Sequence, residues 1–255
     1  MSTLEQTIRD VLSQKQILLM THLVLGYPSL EVNRQVIKQM VENGVDLIEL
    51  QIPFSEPVAD GPVIVKANQD ALLHNIKVKD CLNFAEEITG QYDIPFLFMT
   101  YYNILFKYGV DDFVNKAKEI GIQGFIIPDL PPEEGAEYLQ SMKSCGLSPI
   151  QIYAPTSTEE RMRYLSNNGT GFIYCVARRG VTGKKTDFDD DFNSYMARCR
   201  SATDLPLAVG FGISDRDDVA YLTGKAEIAV IGSENIRLVD QKGADAVGPF
   251  IAGLR

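Results

Sequence analysis

Short apolar runs alternate along this chain with longer segments in which apolar residues recur every three or four positions. The short runs predict buried β-strands, and the periodic segments predict amphipathic helices. The predicted strands lie at residues 17–25, 45–52, 96–101, 124–128, 149–153, 171–176, 207–209 and 228–231. The predicted helices lie at residues 1–14, 30–43, 62–73, 78–88, 111–120, 133–144, 158–167, 190–199, 215–222 and 239–254.

About eight strand–helix units therefore follow one another, without a linker or a low-complexity stretch between them. Strands that alternate with helices pair in parallel, and eight such units in 255 residues are typical of a closed barrel. We predict an α/β fold, a (β/α)8 TIM barrel in which residues 1–255 form a single domain with an extra N-terminal helix. A doubly wound open sheet is the alternative, but Gly26-Tyr27-Pro28 after the first strand is not a glycine-rich turn.

The composition narrows the classes of partner and compartment. The chain has 34 acidic and 24 basic side chains and a net charge of −10, which is the wrong sign for binding nucleic acid. Its apolar stretches fall far short of the ~20 residues of a membrane span, and residues 1–14 lack the features of a secretory signal. The four cysteines are scattered, which predicts buried free thiols in a reducing, cytoplasmic compartment.

Two carboxylates are candidates for chemistry at the carboxyl ends of the strands, where barrels place their active sites. In the second strand the alternation of side chains turns Val45, Leu47, Glu49 and Gln51 inward and Ile48, Leu50 and Ile52 outward. An inward Glu49 is either a general acid/base or a buried partner in a salt bridge. Asp60, just before the next helix, either caps that helix or faces Glu49 across the barrel mouth.

Three glycine-rich segments follow the sixth, seventh and eighth strands, at residues 178–183, 210–214 and 232–233. Glycines let backbone N–H groups approach a phosphate closely, and barrels often bind phosphate after their seventh and eighth strands. Each segment alone also suits an ordinary turn. Their occurrence in this order predicts a phosphate site.

The chain as a whole resembles the tryptophan synthase alpha subunit family. The similarity is carried by LIELQIPFSEPVADGP at residues 47–62, MTYYN at 99–103, PDLPPEE at 128–134, RRGVTG at 178–183, GFGIS at 210–214 and GS at 232–233. These segments occur in the family's order and span nearly the whole sequence.

This resemblance implies the cleavage of indole-3-glycerol phosphate to indole and glyceraldehyde 3-phosphate by a retro-aldol reaction. It implies that Glu49 is the general acid/base and that Asp60 binds the indole N–H and stabilises positive charge on the ring. The phosphate would lie on Gly183, Phe211, Gly212, Gly232 and Ser233. The indole pocket would be lined by His22, Met99, Tyr101, Ile152 and Tyr174.

The resemblance further implies no metal and no organic cofactor in this chain. Its implied partner is a pyridoxal-phosphate-dependent beta subunit in an α2β2 complex, met by residues 53–60 and 128–134. Neither nucleic acid nor a membrane is expected as a partner.

Four positions depart from the family pattern that the resemblance brings. Gln51 replaces a glycine, Glu56 an aspartate, His22 a phenylalanine and Tyr27 the aspartate of Gly-Asp-Pro. His22 and Gln51 could bond to each other or to a substrate hydroxyl, and Glu56 bears on the match to the beta subunit. Two alternatives therefore stay open: an alpha-like subunit that binds phosphate ligands and regulates a beta subunit without doing chemistry, and a stand-alone lyase for a related substrate.

Overall fold

The alternating pattern of the sequence folds into alternating strands and helices. The structure is a computed structural model that describes residues 1–176, 190–210 and 212–255. The strands are β1 (Leu18–Val24), β2 (Leu47–Gln51), β3 (Phe96–Met99), β4 (Gly124–Ile126), β5 (Ser148–Tyr153), β6 (Ile173–Val176), β7 (Leu207–Gly210) and β8 (Ile228–Ile231).

The helices lie between and around these strands. They are α1 (Thr3–Leu12), α2 (Leu30–Glu42), α3 (Pro62–Leu73), α4 (Val78–Thr89), α5 (Tyr102–Tyr108), α6 (Val110–Glu119), α7 (Ala136–Cys145), α8 (Glu159–Asn167), α9 (Asp190–Ala202), α10 (Arg216–Leu222), α11 (Ser233–Lys242) and α12 (Val247–Ala252). Each strand pairs in parallel with the next, and β1 pairs with β8, so the sheet closes. The predicted (β/α)8 barrel is confirmed.

Alternate side chains of the strands enter two separate cores, as the two-residue period of a strand requires. Leu47, Leu97 and Ile228 belong to the core inside the barrel. Ile48 and Leu50 belong to the core between the strands and the surrounding helices. The prediction that Val45 points inward is wrong: Val45 precedes β2, so the strand alternation does not reach it, and it packs in the outer core.

The N-terminal end of the barrel is closed by α1, the predicted extra helix. Leu4 and Ile8 are fully buried and pack into the interior core, and the Ser2 hydroxyl hydrogen-bonds that of Ser148 at 3.0 Å. Nearby, the buried Asp46 accepts the Leu19 N–H at 2.8 Å. The side chains of α1 therefore pack under the strands and fill the barrel interior at this end.

The helices differ from the predicted ones in two places. A short helix, α5, precedes α6, and Gly109 with φ = 99° separates the two. The predicted helix at 239–254 instead begins at Ser233, is interrupted at Gly243 with φ = 82°, and resumes as α12. A glycine at positive φ ends a helix without steric cost, so each interruption follows from the sequence.

The cysteine and membrane predictions were also tested. All four cysteines are buried free thiols, as predicted. Within the described residues, no helix is both long and apolar enough to cross a membrane.

Candidate active site

A cavity of about 530 Å³ opens at the carboxyl ends of the strands. This volume lies within the ~300–1,000 Å³ typical of small-molecule sites. Its wall holds three carboxyl groups, one imidazole, several apolar side chains and the start of α11. The polar and ionisable members are His22, Glu49, Asp60, Tyr174, Ser214, Ser233, Glu234 and Arg237.

Glu49 and His22 form a buried pair in this wall. The two residues are register partners on β2 and β1, so both side chains point into the barrel. His22 Nδ1 lies 2.6 Å from Glu49 Oε1, and the two residues are only 2% and 3% exposed. Among the described residues, Glu49 Oε2 and His22 Nε2 have no hydrogen-bond partner. Because Glu49 lines the cavity, Oε2 is the oxygen available to a ligand.

Two opposing influences act on the pKa of His22. Burial lowers it, but the hydrogen bond to Glu49 and the negative charges of Glu49 and Asp60 outweigh that effect, with a smaller contribution from the Gln51 amide. The pKa of His22 is therefore raised above its usual value. The contact therefore favours the protonated imidazolium form of His22.

Asp60 is held by two neighbours that both donate to one of its oxygens. Gln51 Nε2 donates to Asp60 Oδ2 at 2.7 Å, and the Tyr101 hydroxyl donates to the same atom at 3.1 Å. Oδ1 is consequently the oxygen that can accept an N–H from a ligand. Asp60 does not cap α3, because the N-cap residue is Gly61, so a role in the cavity is favoured over the capping alternative.

The segment before Asp60 is fixed by contacts with Tyr101, at the start of α5, and with α3. The Phe54 ring stacks on the Tyr101 ring with centroids 5.0 Å apart, and the Phe54 N–H donates to the buried Asn68 at 2.9 Å. The Ala59 N–H donates to the Tyr101 hydroxyl at 3.1 Å. Tyr101 therefore positions Asp60 from behind.

Burial raises the pKa of Asp60, although the charge of His22 and the hydrogen bonds from Gln51 and Tyr101 partly offset it. The raised pKa means that folding disfavours the ionised carboxylate of Asp60, despite its two donors. A cationic or N–H-bearing ligand would again favour the ionised carboxylate of Asp60.

Another part of the cavity wall is apolar. Met99, Ile152 and Tyr174 line it, from β3, β5 and β6. The Tyr174 ring passes directly over Gly210, where an added Cβ would lie 2.3 Å from Tyr174 Cε1. Gly210 therefore makes room for this ring, and the aromatic and aliphatic surface suits a flat apolar group.

A further part of the wall suits an anion. Gly212, with φ = 55°, and Gly232 and Ser233, at the start of α11, all line it. None of the described side chains caps α11, so its first N–H groups are left for another acceptor. Arg237, one turn further along α11, also lines the cavity and donates to Glu234 at 3.0 Å.

The structure thus brings together most of the predicted site residues. Glu49, Asp60, His22, Met99, Ile152, Tyr174, Gly212, Gly232 and Ser233 all line one cavity. Tyr101, predicted to line the pocket, instead lies behind Asp60. Gly183 and Phe211, predicted to bind phosphate, lie outside the described residues.

Sequence reasoning missed Arg237 and Glu234. Their signal is the helical spacing from Ser233, which places residue 237 one turn beyond the helix start. Across the described ranges, no group of three or more His, Cys, Asp or Glu is placed to hold a metal ion.

Comparison with known proteins places this cavity in a family. Residues 8–248 match the family model described as "Tryptophan synthase alpha chain". The tryptophan synthase alpha chain of Desulfotalea psychrophila is 60% identical over 253 residues, covering 99% of this chain and 100% of that protein.

Solved structures agree with this assignment. A ligand-free mutant tryptophan synthase from M. tuberculosis superposes with a TM-score of 0.91 at 28% identity, covering 100% of this chain and 98% of the other. A chain of the tryptophan synthase α2β2 complex from Pyrococcus furiosus superposes with a TM-score of 0.87 at 29% identity, covering 92% and 96%. The chain belongs to the tryptophan synthase alpha chain family.

Proposed function

We propose that this protein is a carbon–carbon lyase that cleaves indole-3-glycerol phosphate to indole and glyceraldehyde 3-phosphate. The observation that carries the proposal is the arrangement of a single cavity: Glu49 and Asp60 lie at one part of its wall and the uncapped start of α11 at another. Met99, Ile152 and Tyr174 add an apolar surface to the same wall. A substrate with a flat ring, a hydroxylated linker and a phosphate matches these three kinds of surface.

The chemistry assigned to Glu49 is proton exchange at Oε2. Its carboxyl group donates a proton to C3 of the indole ring, which becomes an iminium cation. The resulting carboxylate removes the proton of the glycerol hydroxyl next to the ring, whose oxygen becomes an aldehyde carbonyl. The electrons of the broken carbon–carbon bond return to the ring and neutralise it, so Glu49 ends the cycle protonated as it began.

Asp60 stabilises the iminium stage of this cycle. Oδ1 accepts the indole N–H while Gln51 and Tyr101 hold Oδ2. Positive charge on the ring nitrogen favours the ionised form of Asp60, which burial alone disfavours. The interaction therefore strengthens as the ring becomes cationic, which is the requirement for lowering a barrier.

The phosphate of the substrate is assigned to the start of α11 and the neighbouring glycines. Gly232 and Ser233 present backbone N–H groups there, and the helix dipole favours an anion. Arg237 adds a positive charge in the same wall. Gly183 and Phe211 complete the proposed phosphate set. Anchoring the phosphate fixes the distance from the ring to Glu49.

The proposed partner is a tryptophan synthase beta chain in an α2β2 assembly, as in the Pyrococcus furiosus complex. Val58 is 81% exposed and Phe106 is 65% exposed, so both side chains are accessible to a partner. Val58 lies within residues 53–60, one of the two segments that the family resemblance implies for this contact; the other is 128–134. The enzyme is placed in the cytoplasm, where its proposed biosynthetic role belongs.

The test is to incubate the purified chain with indole-3-glycerol phosphate, with and without a purified beta chain, and to quantify both products. We expect equimolar indole and glyceraldehyde 3-phosphate, released faster when the beta chain is present. Substrate binding without any indole release would favour the regulatory alternative. Fast release that the beta chain does not change would favour the stand-alone lyase.

A further inference from the structure

The family resemblance implies only that His22 lines the indole pocket. The structure shows in addition a buried contact between His22 and Glu49. Both side chains are almost fully buried, and their 2.6 Å contact engages one oxygen of Glu49. The other oxygen, Oε2, has no partner among the described residues. A buried carboxylate is costly unless it is paired, so the imidazole is the group that makes this position tolerable for Glu49.

We propose that His22 is a positioning residue for the lyase reaction, which holds Glu49 through Oε1, directs Oε2 into the cavity and stabilises the carboxylate stage with its positive charge. The inference rests on the proposed function and adds a residue to it. His22 keeps its own proton throughout. The proton exchanged with substrate is carried by Glu49 alone.

The need for this residue follows from the proton cycle of Glu49. A carboxyl group that gives and then regains a proton passes through an anion inside a buried wall. An imidazolium in contact with Oε1 stabilises that anion without occupying Oε2. A charge-assisted hydrogen bond is about twice as strong as a neutral one, so its loss has a measurable cost.

Gln51 supports the protonated form of His22. Because Gln51 Nε2 donates to Asp60, the amide orientation leaves Oε1 as an acceptor. Gln51 Oε1 and His22 Nε2 both lack a hydrogen-bond partner within the described chain, yet the amide is close enough to raise the pKa of His22. The Gln51 amide and the charge of Asp60 therefore both favour the protonated form of His22.

The other groups around His22 do not replace this role. Glu49 faces the cavity from β2, Asp60 from the segment after β2, and Tyr174 from β6. Burial and the charges of Glu49 and Asp60 raise the pKa of Tyr174, which keeps its hydroxyl protonated. On α11, Glu234 and Arg237 line the cavity and pair with each other. A small adjoining cavity with His22 in its wall also contains Tyr27, whose pKa is raised by burial and by Asp240, so its hydroxyl stays protonated. The residues of α2 and α11 in that wall are Asn33, Val36, Met40, Asn235, Ile236 and Val239, none of which is ionisable.

The first measurement is the titration of the imidazole groups by NMR on ring-labelled protein. The sequence has two histidines, His22 and the exposed His74. We expect the pKa of His22 to lie above the usual histidine value of about 6.5. In Glu49→Gln the negative charge beside the imidazole is gone and burial dominates, so the pKa of His22 should fall below that usual value.

The second measurement is kinetic and separates positioning from packing. His22→Asn should lower kcat about 10- to 100-fold, the loss expected for one charge-assisted hydrogen bond, with little change in KM. The alkaline fall in kcat that follows the His22 titration in the wild type should be absent from His22→Asn. In a Glu49→Gln background, His22→Asn should cost nothing further. His74→Asn is the matched control and should behave as the wild type.

The possible results separate a failure of the proposed lyase function from a failure of the positioning role of His22. Wild-type protein that releases no indole overturns the proposed function and the positioning role with it. Indole release together with a His22 pKa at or below the usual histidine value of about 6.5 overturns the positioning role alone. An alkaline limb that persists in His22→Asn, or a full additional loss in the Glu49→Gln background, does the same.

Discussion

Asp60 lies in the proposed active site, but its surroundings disfavour its ionised form. Burial raises its pKa even though Gln51 and Tyr101 both donate to Oδ2. A group whose pKa is raised on folding binds its proton more tightly in the folded protein. Its contribution to stability therefore decreases as the pH rises from the unfolded pKa of about 4 through the raised folded value. The ionised Asp60 thus costs stability at neutral pH.

Asp60→Asn tests this trade between stability and activity. At pH 7 the variant should have a larger free energy of unfolding than the wild type, and the difference should shrink as the pH is lowered to 4, because Asp60 is then protonated. Its kcat should fall about 100-fold, the order expected when one stabilising partner of the transition state is lost. Urea unfolding followed by circular dichroism, together with the indole assay, measures both effects.

The exposed Asp245 provides the control for the same substitution. Asp245→Asn should leave both stability and kcat unchanged across this pH range. A stability difference between Asp60→Asn and the wild type that is the same at pH 4 and pH 7 would contradict the account of Asp60.

At the residue scale, the sequence predicts orientation better than contact. Strand alternation alone turned Glu49 inward, and the structure confirms this. The contacts of Glu49 with His22 and of Asp60 with Tyr101 depend on the register of neighbouring strands and join residues 27 and 41 positions apart. Nothing in the local pattern encodes such a register, so these partners were not predictable from it.

At the element scale, α11 is the helix that defines the anion-binding part of the cavity. It begins directly after β8 at Gly232, and Arg237 follows one turn later beside Glu234. The Arg237 side chain is 48% exposed, so its attraction to a phosphate is weakened by solvent. Most of the phosphate binding is then expected from the backbone and a smaller part from Arg237.

Arg237→Gln should accordingly raise KM for indole-3-glycerol phosphate about 3- to 10-fold and leave kcat nearly unchanged, because Arg237 binds substrate and transition state alike. Steady-state kinetics at low and high salt measure this, and the gap between variant and wild type should narrow at high salt. Arg163→Gln removes an exposed cation paired with Glu159 and is the matched control. An unchanged KM would place Arg237 outside the phosphate site.

The sequence pattern predicts the strands better than it predicts the start of α11. The strands were predictable because each is a short apolar run between helices of 3.6-residue period. The start of α11 was placed six residues late, at 239 rather than at Ser233, because its first turn is polar and carries little periodic signal. The error mattered, since that first turn is the part of the helix that lines the cavity.

At the scale of the whole molecule, the two ends of the barrel serve different purposes. The N-terminal end is closed by Leu4 and Ile8 of α1 and by Asp46, which also pairs with Lys15 and Arg255. The carboxyl end holds the ionisable and glycine-rich groups around one cavity. This division is the usual one for a (β/α)8 barrel, and it explains why chemistry-bearing residues far apart in sequence converge.

The measurement that tests the account most directly is the turnover of Glu49→Gln at saturating indole-3-glycerol phosphate. The amide keeps the size of the side chain but cannot exchange a proton, so kcat should fall by about 10²- to 10⁴-fold while KM stays within about 3-fold of the wild type. The exposed Glu119 provides the control, and Glu119→Gln should turn over normally. A Glu49→Gln enzyme with wild-type kcat would contradict the assignment of Glu49 as the acid/base of this cavity.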